Sequence, residues 1–410
     1  MISIFTPSNN TTWLTELAST IINQTFTNWE WVILTNGGAS LPEDFPRDER
    51  IKNLNSTTTG SIGKLKKEAA SLCSGDILVE VDHDDLLHLG CLEEIDQSID
   101  EDHGFAYSDY AEFGDGSWDT FTYGESFGWK TYPVEFLGHK LLAHKSPDHH
   151  PRNVSEIYYA PNHVRAWSRK TYEHVGGHSG LVAGDDHDLV CRTYLVTKFV
   201  HIPKCLYFYR RRADGNNSYL KHFDLIQKQS LANRDRYFLS LAEKWADDNG
   251  FLKIDLGGGH RSPEGWVSVD LHNAQVITDL CKRFPFDDNA VGLVRAVDFL
   301  EHIPDKIHII NEIYRVLMPG GMLFSITPST DGRGAFQDPT HCAFYNENSF
   351  FYYTQKVYND FTPQANVRFQ AARLFTNFPS DSHRQLNIPY VYADLVSLKD
   401  GFRPMGQILI

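Results

Sequence analysis

The sequence predicts two α/β domains in tandem, each built on a mostly parallel, Rossmann-like sheet. Short β-rich runs alternate with helical patterns from the first residues to about Glu80, and the same alternation begins again at Phe251. Strands that alternate with helices of this length are typical of parallel sheets. Between the two series, a helical pattern runs from Leu220 to Asn249 and is followed by Gly250, a plausible C-cap. We therefore expect domains at 1–218 and 251–410, joined by a helical linker at 219–250.

The composition is that of a globular protein whose size allows two or three domains. Of its 410 residues, 41% are hydrophobic and 22% are charged, so no long disordered region is expected. The net charge of −15 argues against a general affinity for nucleic acid, which needs clustered Lys and Arg. The six cysteines show no CxxC spacing, the first residues lack a secretory signal pattern, and no apolar run approaches the ~20 residues that span a bilayer. We expect a cytoplasmic protein with reduced thiols.

In the first half, strands are predicted in "ISIFTP", "WEWVILT" and "DILVEV", and helices in "WLTELASTIINQTF" and "GKLKKEAASLCSG". Residues 103–170 are rich in aromatic residues, His, Gly and Pro without clear periodicity, which we interpret as an active-site surface. Helical patterns return in "SRKTYEHVGG" and "GDDHDLVCRTYL", and the strand-like "CLYFYRRR" follows. In such sheets ligands bind beyond the carboxyl ends of the strands.

Three carboxylates in four positions follow the strand "VEV". Asp82, Asp84 and Asp85 would repel one another if all were ionised, so a positive group is expected there. Mg²⁺ is commonly held by one or two carboxylates while phosphate oxygens complete its shell. Asp82 and Asp84 lie on the same side of an extended strand end and are suited to that role. The alternative is a turn in which Asp85 caps the next helix and the others are solvated.

The ordered set of strand ends resembles the family 2 glycosyltransferases of the GT-A fold over residues 1–218. The first strand ends in Thr6 and Pro7, the second in "LTNGG", and the D-x-D element follows. The resemblance implies that Thr6 and Pro7 border the nucleoside of a nucleotide-sugar donor. It also implies that Asp82 faces the ribose or the metal and that Asp84 holds Mn²⁺ or Mg²⁺.

Other donor-site residues follow from the same resemblance. The family usually has an acidic turn where this chain has Asn36, so the base that Asn36 would contact stays open. Lys64 and Lys67 lie on the next helix, where they contact phosphate or form a solvated face. Arg210, in "YFYRRR", offers a guanidinium group suited to phosphate. His163 is a candidate third metal ligand, although a lone His is more often only hydrogen-bonded.

The segment "GLVAGDDHDLVCR" resembles the acidic motif at the start of a helix in the same family. Transfer with inversion needs a base that removes the proton of the acceptor hydroxyl. We expect Asp186 to be that base, with Asp185 beside it, and the acceptor to be a glycan or glycoconjugate. The alternative is helix N-capping by Asp185.

A second glycine cluster opens the C-terminal half. "KIDLGGGHRSPEGWVSVDL" places glycines after one strand and Asp270 at the end of the next, which suits a ligand with ribose hydroxyls. A nicotinamide site would favour G-x-G-x-x-G, which is absent here. Together with "FPFDDNAVGLV" and "EIYRVLMPGG", the pattern resembles class I, type 11-like methyltransferases that use S-adenosyl-L-methionine, over residues 251–410.

That resemblance assigns roles by position. Asp255, Gly257, Gly258 and Gly259 would line the methionine end of S-adenosyl-L-methionine, Asp270 would take the ribose hydroxyls, and Asp279 and Leu280 would flank the adenine. Asp298, Glu301 and His302 would lie at the fourth strand end, where cofactor and acceptor meet. The polar and aromatic loop "GRGAFQDPTHCAFYNENSF" is the acceptor-facing candidate. In it, Asp338 and His341 are possible bases, or a loop-capping Asp and a packed His.

Taken together, the chain is expected to be a bifunctional enzyme that glycosylates an acceptor and methylates a hydroxyl of the glycan. Two alternatives stay open at this point. The second domain is a non-catalytic, cofactor-binding regulatory or scaffold module, or the whole chain is an inactive glycan-binding protein. Peripheral association with a membrane through a lipid-linked acceptor is also open.

Overall fold

The computed structural model describes residues 1–212 and 218–406. The chain divides into two compact units, residues 1–241 and 242–410. The expected α/β architecture is confirmed in both units. Within the described residues, no helix combines the length and the apolar character that crossing a membrane requires.

The first unit is built on a mixed sheet. Its strands are β1 (Ile2–Ser8), β2 (Trp29–Thr35), β3 (Ile51–Asn55), β4 (Ile77–Glu80), β5 (Leu86–Leu87), β6 (Phe105–Gly114), β7 (Thr120–Phe121), β8 (Thr131–Phe136), β9 (His139–His144), β10 (Arg165–Ser168) and β11 (Phe199–Arg211). Its helices are α1 (Leu14–Ile22), α2 (Ile62–Ser71), α3 (Cys91–Ser98), α4 (Pro151–Glu156), α5 (Arg169–His174), α6 (Asp185–Tyr194), α7 (Ser218–Lys221) and α8 (Phe223–Asn249), the last of which contains the boundary between the units.

The strand order of this sheet is β3-β2-β1-β4-β10-β6-β11-β5. Strands β3, β2, β1 and β4 are parallel, whereas β10 is antiparallel to both of its neighbours. Ser8 at the end of β1 pairs with Thr35 at the end of β2, and Phe5 pairs with Glu80. The segments that follow β1, β2 and β4 therefore leave the sheet at the same edge.

The second unit has a sheet with one reversed edge. Its strands are β12 (Leu252–Leu256), β13 (Val267–Asp270), β14 (Val276–Ile277), β15 (Val291–Val297), β16 (Leu317–Pro328), β17 (Phe369–Asn377) and β18 (Tyr390–Ser397). Its helices are α9 (Lys306–Val316), α10 (Gly334–Gln337), α11 (Glu347–Thr354), α12 (Lys356–Asn359) and α13 (Asp381–Gln385). The order is β14-β13-β12-β15-β16-β18-β17, in which the first five strands are parallel and β18 is antiparallel to both neighbours.

Two segments for which the sequence predicted no helix or strand are regular in the structure. Residues 103–170, which lack clear periodicity in the sequence, contain β6 to β10 and α4. Strand β6 is buried along its whole length, and its two acidic residues are paired: Asp109 accepts from the Tyr132 hydroxyl at 3.0 Å, and Glu112 accepts from Arg211 at 2.5 Å. Strand β3 was missed because it is an exposed edge strand rich in Lys and Asn. The sequence also predicts a terminal hairpin between "YVYADLVSLK" and "GQILI", but residues 407–410 of the second segment lie outside the described residues; β18, in the first segment, pairs with β16 and β17.

A buried ion pair fastens α2 to the central strand β4. Lys66 is 7% exposed and Glu80 is fully buried, and the Lys66 ammonium contacts the Glu80 carboxylate. Burial acts to raise the pKa of Glu80, but Lys66 and then His178 outweigh it, so this pKa lies well below its usual range. Burial likewise acts to lower the pKa of Lys66, and Glu80 and Asp185 outweigh it. Both groups are therefore charged in the core.

We expect Lys66→Met to destabilise the protein by about 3–5 kcal/mol, because it leaves the Glu80 charge buried without its partner. The neighbouring Lys67 is exposed on the same helix, so Lys67→Met is a matched control with an expected change within about 0.5 kcal/mol. Urea unfolding of both variants measures the difference. Equal stabilities would contradict a structural role for the pair.

Candidate active sites

The first candidate site lies at the edge of the first unit where β4 ends. Asp82 and Asp84 are half-buried in the turn after β4. Among the described residues, the Asp82 carboxylate has no hydrogen-bond or ion-pair partner; its backbone N–H donates to the Tyr207 hydroxyl at 3.2 Å, and its carbonyl accepts from the Asp85 N–H at 3.4 Å. The Asp84 carboxylate lies 3.8 Å from the Arg212 guanidinium. Burial, with Asp82 as a neighbouring charge, raises the pKa of Asp84.

Asp85 has a different role from the helix cap considered above. Helix α3 begins at Cys91, and its N-cap Gly90 has no side-chain cap. Asp85 is fully buried and accepts hydrogen bonds from the Tyr207 hydroxyl and the Arg210 backbone N–H, both at 2.7 Å. The helix-capping alternative is therefore wrong. Asp85 ties the acidic turn to β11, and Asp82 and Asp84 are left facing the edge.

Residues at the ends of β1 and β2 differ in how they meet this edge. Thr6 and Pro7 are buried, and the Thr6 hydroxyl accepts from the Trp31 indole N–H at 3.0 Å. The Thr6 side chain is thus packed within the sheet. The residues that are exposed at this edge come later in the chain. Asn36 is half-buried and its backbone N–H donates to the Ser8 carbonyl at 3.0 Å. Its side chain follows the end of β2 directly.

The two basic residues predicted for the donor site lie in different surroundings. Arg210 is 4% exposed, and its guanidinium donates to Glu16 at 2.7 Å, to Asp115 at 3.0 Å and to the Asp84 carbonyl at 2.6 Å. Arg210 thus stabilises the acidic turn by donating a hydrogen bond to the backbone carbonyl of Asp84. Lys64 is exposed and lines a cavity of about 380 Å³ with Lys67 and residues 176–180.

Asp185 and Asp186 begin α6 but differ in exposure. Gly184, not Asp185, is the N-cap of this helix, so the capping alternative is wrong. The Asp185 side chain is buried near Lys66 and His178, and burial raises its pKa to about 6. The Asp186 side chain is 24% exposed and bonds the buried Arg165 guanidinium at 2.8 Å. Burial acts to raise the pKa of Asp186, but Arg165 and Lys66 outweigh it and bring this pKa to about 2.

Sequence reasoning missed a further buried acid beside this pair, Glu80, and the basic residues that compensate the acids: Lys66, His178 and Arg165. His178 lies 3.5 Å from Glu80 and 3.9 Å from Asp185. A signal existed for two of them. Glu80 is an acid inside an apolar strand, and Lys66 falls beside Leu65, Ala69 and Ala70 on the buried face of α2.

His163 does not complete a metal site with the acidic turn. It stacks on Tyr207 with a centroid distance of 4.8 Å, and burial followed by the Arg165 charge lowers its pKa. In the described part of the chain, its ring nitrogens, Asp82 and Asp84 do not lie within a common ligand distance. The prediction of His163 as third ligand is therefore wrong for this conformation.

The second candidate site lies where β12 and β13 end in the second unit. Gly257 has φ +71°, and a Cβ there would stand 2.5 Å from the Phe299 ring. At Gly258, a Cβ would stand 2.2 Å from both Asp255 Oδ2 and Ser262 Oγ. Asp255 is fully buried, bonds Arg295 at 2.8 Å and accepts from the Ser262 hydroxyl at 2.7 Å. A side chain would therefore not fit at Gly257 or Gly258, and the buried Asp255 holds the loop in place through its hydrogen bond with Ser262.

The remaining residues predicted to bind the cofactor spread along this edge. Asp270 Oδ1 accepts a hydrogen bond from the Leu271 N–H at 2.6 Å, whereas Asp270 Oδ2 has no hydrogen-bond partner among the described residues. Oδ2 faces the glycine loop, because a Cβ added to Gly259 would stand 3.5 Å from it. Asp279 is exposed and accepts from the Cys281 N–H at 3.0 Å. Leu280 is buried in the hydrophobic core. Asp298 follows β15 in the left-handed region, with φ 49°.

A third group lies at the ends of β15 and β16. Glu301 is 2% exposed, and its Oε2 accepts from the Thr327 hydroxyl at 2.7 Å. Ligand atoms of Glu301, His302 and His341 all lie within 4.8 Å of one another. His341 Nδ1 lies 3.0 Å from the Ala335 carbonyl. Asp338 accepts from both the N–H and the hydroxyl of Thr340, and these bonds lower its pKa, so it caps the loop as considered above.

Comparisons of sequence match both halves of the chain to transferases. Residues 261–325 match the family described as Methyltransferase domain. The chain is 32% identical over 95 residues to the demethylmenaquinone methyltransferase of Listeria monocytogenes, 23% of this chain and 37% of that protein. It thus spans little more than a third of that relative. It is 25% identical over 223 residues to the glycosyltransferase GlyG of Streptococcus pneumoniae, 52% of this chain and 71% of that protein.

Among solved structures, S. aureus TarS 1–349 in complex with UDP-GlcNAc is similar to the chain, with 16% identity and a TM-score of 0.41 over 61% of this chain and 73% of that chain. From the sequence matches, the chain joins an N-terminal part that is similar in sequence to a glycosyltransferase to a C-terminal part in which residues 261–325 match a methyltransferase domain.

Proposed function

We propose that the chain is a bifunctional enzyme. Its N-terminal part transfers a sugar from a nucleotide-sugar donor to a glycan or glycoconjugate with inversion, and its C-terminal part methylates a hydroxyl of that glycan. The observation that carries the proposal is the uncompensated Asp82 carboxylate beside Asp84, at the edge where parallel strands end. The similarity to a glycosyltransferase and the methyltransferase domain support the two reaction classes.

The residues of the acidic turn fit a divalent cation. Asp82 has no protein partner among the described residues, and Asp82 and Asp84 each act to raise the pKa of Asp85. A cation held by these two carboxylates would relieve that repulsion and leave positions for phosphate oxygens. When bound, Mn²⁺ or Mg²⁺ would neutralise charge on the nucleoside diphosphate. The protein itself holds the turn in place, through Asp85 on β11 and Arg210 on the Asp84 carbonyl.

Asp186 is the better candidate for the base that deprotonates the acceptor. It is partly exposed, whereas Asp185 is buried among charged neighbours. Despite burial, the Arg165 and Lys66 charges bring the pKa of Asp186 to about 2, so it is ionised and able to accept a proton, but as a weak base while Arg165 is bound to it. Arg165 fixes its orientation from one side. We assign Asp185 to the buried cluster as a positioning residue.

The second unit would align a methyl donor with its acceptor. Methyl transfer is a direct displacement at a sulfonium, so alignment is the main task. The close-packed backbone at Gly257 and Gly258 and the free Asp270 oxygen fit the amino-acid end and the ribose of S-adenosyl-L-methionine. Phe336 is 62% exposed and stacks on Phe344 with a centroid distance of 5.2 Å. This aromatic pair, in the predicted acceptor loop, suits the apolar face of a sugar ring.

We further propose an order of events in which the second unit methylates the sugar that the first unit adds. The proposal rests on the occurrence of both parts in one chain. An acceptor without that sugar would then take up no methyl group.

We expect Asp84→Asn to lower metal-dependent nucleotide release by roughly 10²-fold or more, because it removes half of the carboxylate pair that would hold the cation. The assay uses a panel of UDP-, GDP- and dTDP-sugars with Mn²⁺, and again with a chelator. Asp96→Asn, on the exposed face of α3, is the matched control and should release nucleotide like the wild type. Release that survives both the substitution and the chelator would refute the metal role.

Asp186→Asn should leave donor binding unchanged and reduce acceptor-dependent turnover by roughly 10²–10⁴-fold, because only the proton acceptor is lost. Binding is measured by calorimetric titration with the nucleotide sugar that the panel assay selects, and steady-state kinetics separates kcat from KM. A variant with normal kcat would move the role of base to another residue.

Asp270→Ala should weaken S-adenosyl-L-methionine binding by roughly 10- to 100-fold, since a hydrogen bond to a charged group contributes about 1.5–3 kcal/mol. Asp287→Ala, an exposed change in the "FPFDDN" segment, is the control. Calorimetry on the full chain measures binding of S-adenosyl-L-methionine to each variant.

The proposed order of events is tested separately with the wild type and labelled S-adenosyl-L-methionine. Methyl incorporation into the bare acceptor but not into the glycosylated product would contradict that order.

A further inference from the structure

The strongest unassigned feature is the cluster of Glu301, His302 and His341 in the second unit. In the described part of the chain, it is the one group of three or more His, Cys, Asp or Glu side chains whose ligand atoms lie within 4.8 Å of one another. The residues come from two segments, the turn after β15 and the loop that follows α10. The fold therefore brings them together, and they are not neighbours merely through the sequence.

Glu301 is the observation that points to a ligand. Its side chain is 2% exposed, and its Oε1 is buried without a hydrogen-bond partner, while Oε2 accepts from Thr327. No Lys or Arg among the described residues forms an ion pair with it, whereas the buried Asp255 of the same unit is paired with Arg295. A buried carboxylate oxygen without a partner is costly unless something positive meets it.

The hydrogen bonds of the two imidazoles leave one nitrogen of each available. His341 Nδ1 lies 3.0 Å from the Ala335 carbonyl, which can only accept, so Nδ1 carries the proton. The Thr340 hydroxyl donates to Asp338 at 2.7 Å and therefore accepts from His302 Nδ1 at 3.1 Å. In both rings the lone pair is thus on Nε2. Histidine ligands of metal ions are usually oriented in this way, by a hydrogen bond from the other ring nitrogen.

We propose that Glu301, His302 and His341 bind a divalent first-row transition-metal cation. Two imidazoles and one carboxylate favour ions such as Zn²⁺, Fe²⁺ or Co²⁺ over Mg²⁺ or Ca²⁺, which prefer oxygen ligands. Ligand atoms at roughly 2.1 Å from one ion stand roughly 3.4 Å apart in a tetrahedron, a spacing compatible with ligand atoms that lie within 4.8 Å of one another. Three protein ligands leave at least one coordination position for another molecule.

The location of the site suggests what that molecule is. Glu301 bonds Thr327 at the end of β16, and Phe299, two residues before Glu301, packs against Gly257 of the glycine loop. The cation would therefore lie beside the edge where we place the methyl donor. There it would bind hydroxyl oxygens of the acceptor and lower the pKa of the hydroxyl to be methylated. This role of the ion rests on the proposed function, but metal binding itself does not.

Cobalt binding to the full chain tests the site. The Asp84→Ala chain is the parent, so that the carboxylate pair of the first unit does not contribute. After treatment with a chelator and dialysis, it is titrated with Co²⁺ and followed by the visible absorption of the ion and by metal content. We expect one Co²⁺ per chain in the parent. Adding His341→Ala or His302→Ala should weaken binding at least tenfold.

His272→Ala is the matched control, because His272 is exposed after β13 and outside the cluster; it should bind like the parent. Circular dichroism of each variant checks the fold, and the two His changes lie in different segments, so one remains informative if the other unfolds. A parent that binds no Co²⁺, or a folded His341→Ala or His302→Ala variant that binds it like the parent, would overturn the proposal. Because the readout is the metal, failure of methyl transfer alone would count only against the proposed function.

Discussion

The compensation of buried charge at the end of β4 is the constraint on which the first candidate site depends. Glu80 ends a strand that is buried along its length, and there its carboxylate requires a positive partner. Lys66 provides it from α2, and His178 lies on the other side. Since these groups are committed to Glu80 and Asp185, none of them neutralises Asp82. Among the described residues, the Asp82 carboxylate beyond the strand end is thus left for a ligand from solution.

In the second unit, too, some carboxylates have a cationic partner and others do not. Asp255, inside β12, is neutralised by Arg295 and braces the glycine loop through Ser262. Asp270, the last residue of β13, and Glu301, beyond β15, have no cationic partner among the described residues. In both units, then, an acid that is buried and paired holds the structure together, whereas Asp82, Asp270 and Glu301 lie at or after strand ends without a cationic partner among the described residues. Parallel strands bring such ends to one edge, which is why two different chemistries can use the same architecture.

The sequence predicted the architecture and the location of the sites better than the roles of single residues. Alternating strands and helices, and acids at strand ends, are local patterns and can be read directly. The partners of those acids are not local: Asp85 is held by β11, more than 120 residues away, and Arg165 reaches Asp186 from β10. Strand β6 was missed for a related reason, because its acidic residues are paired with distant residues and so break the usual alternation of apolar and polar positions. Thr6 and Leu280 have motif positions but buried side chains.

The two proposed cation sites differ in ligand chemistry, and this difference decides whether one chain can hold both. Asp82 and Asp84 offer only oxygen, which suits Mg²⁺ or Mn²⁺ and diphosphate oxygens. The second cluster offers two imidazole nitrogens and one oxygen, which suits an ion of the later first-row series. An ion drawn to nitrogen would leave the first site free, and Mg²⁺ would compete poorly for the second. Because the two proposed sites offer different ligand atoms, one chain could bind two different metal ions, each at the site for which it has the higher affinity.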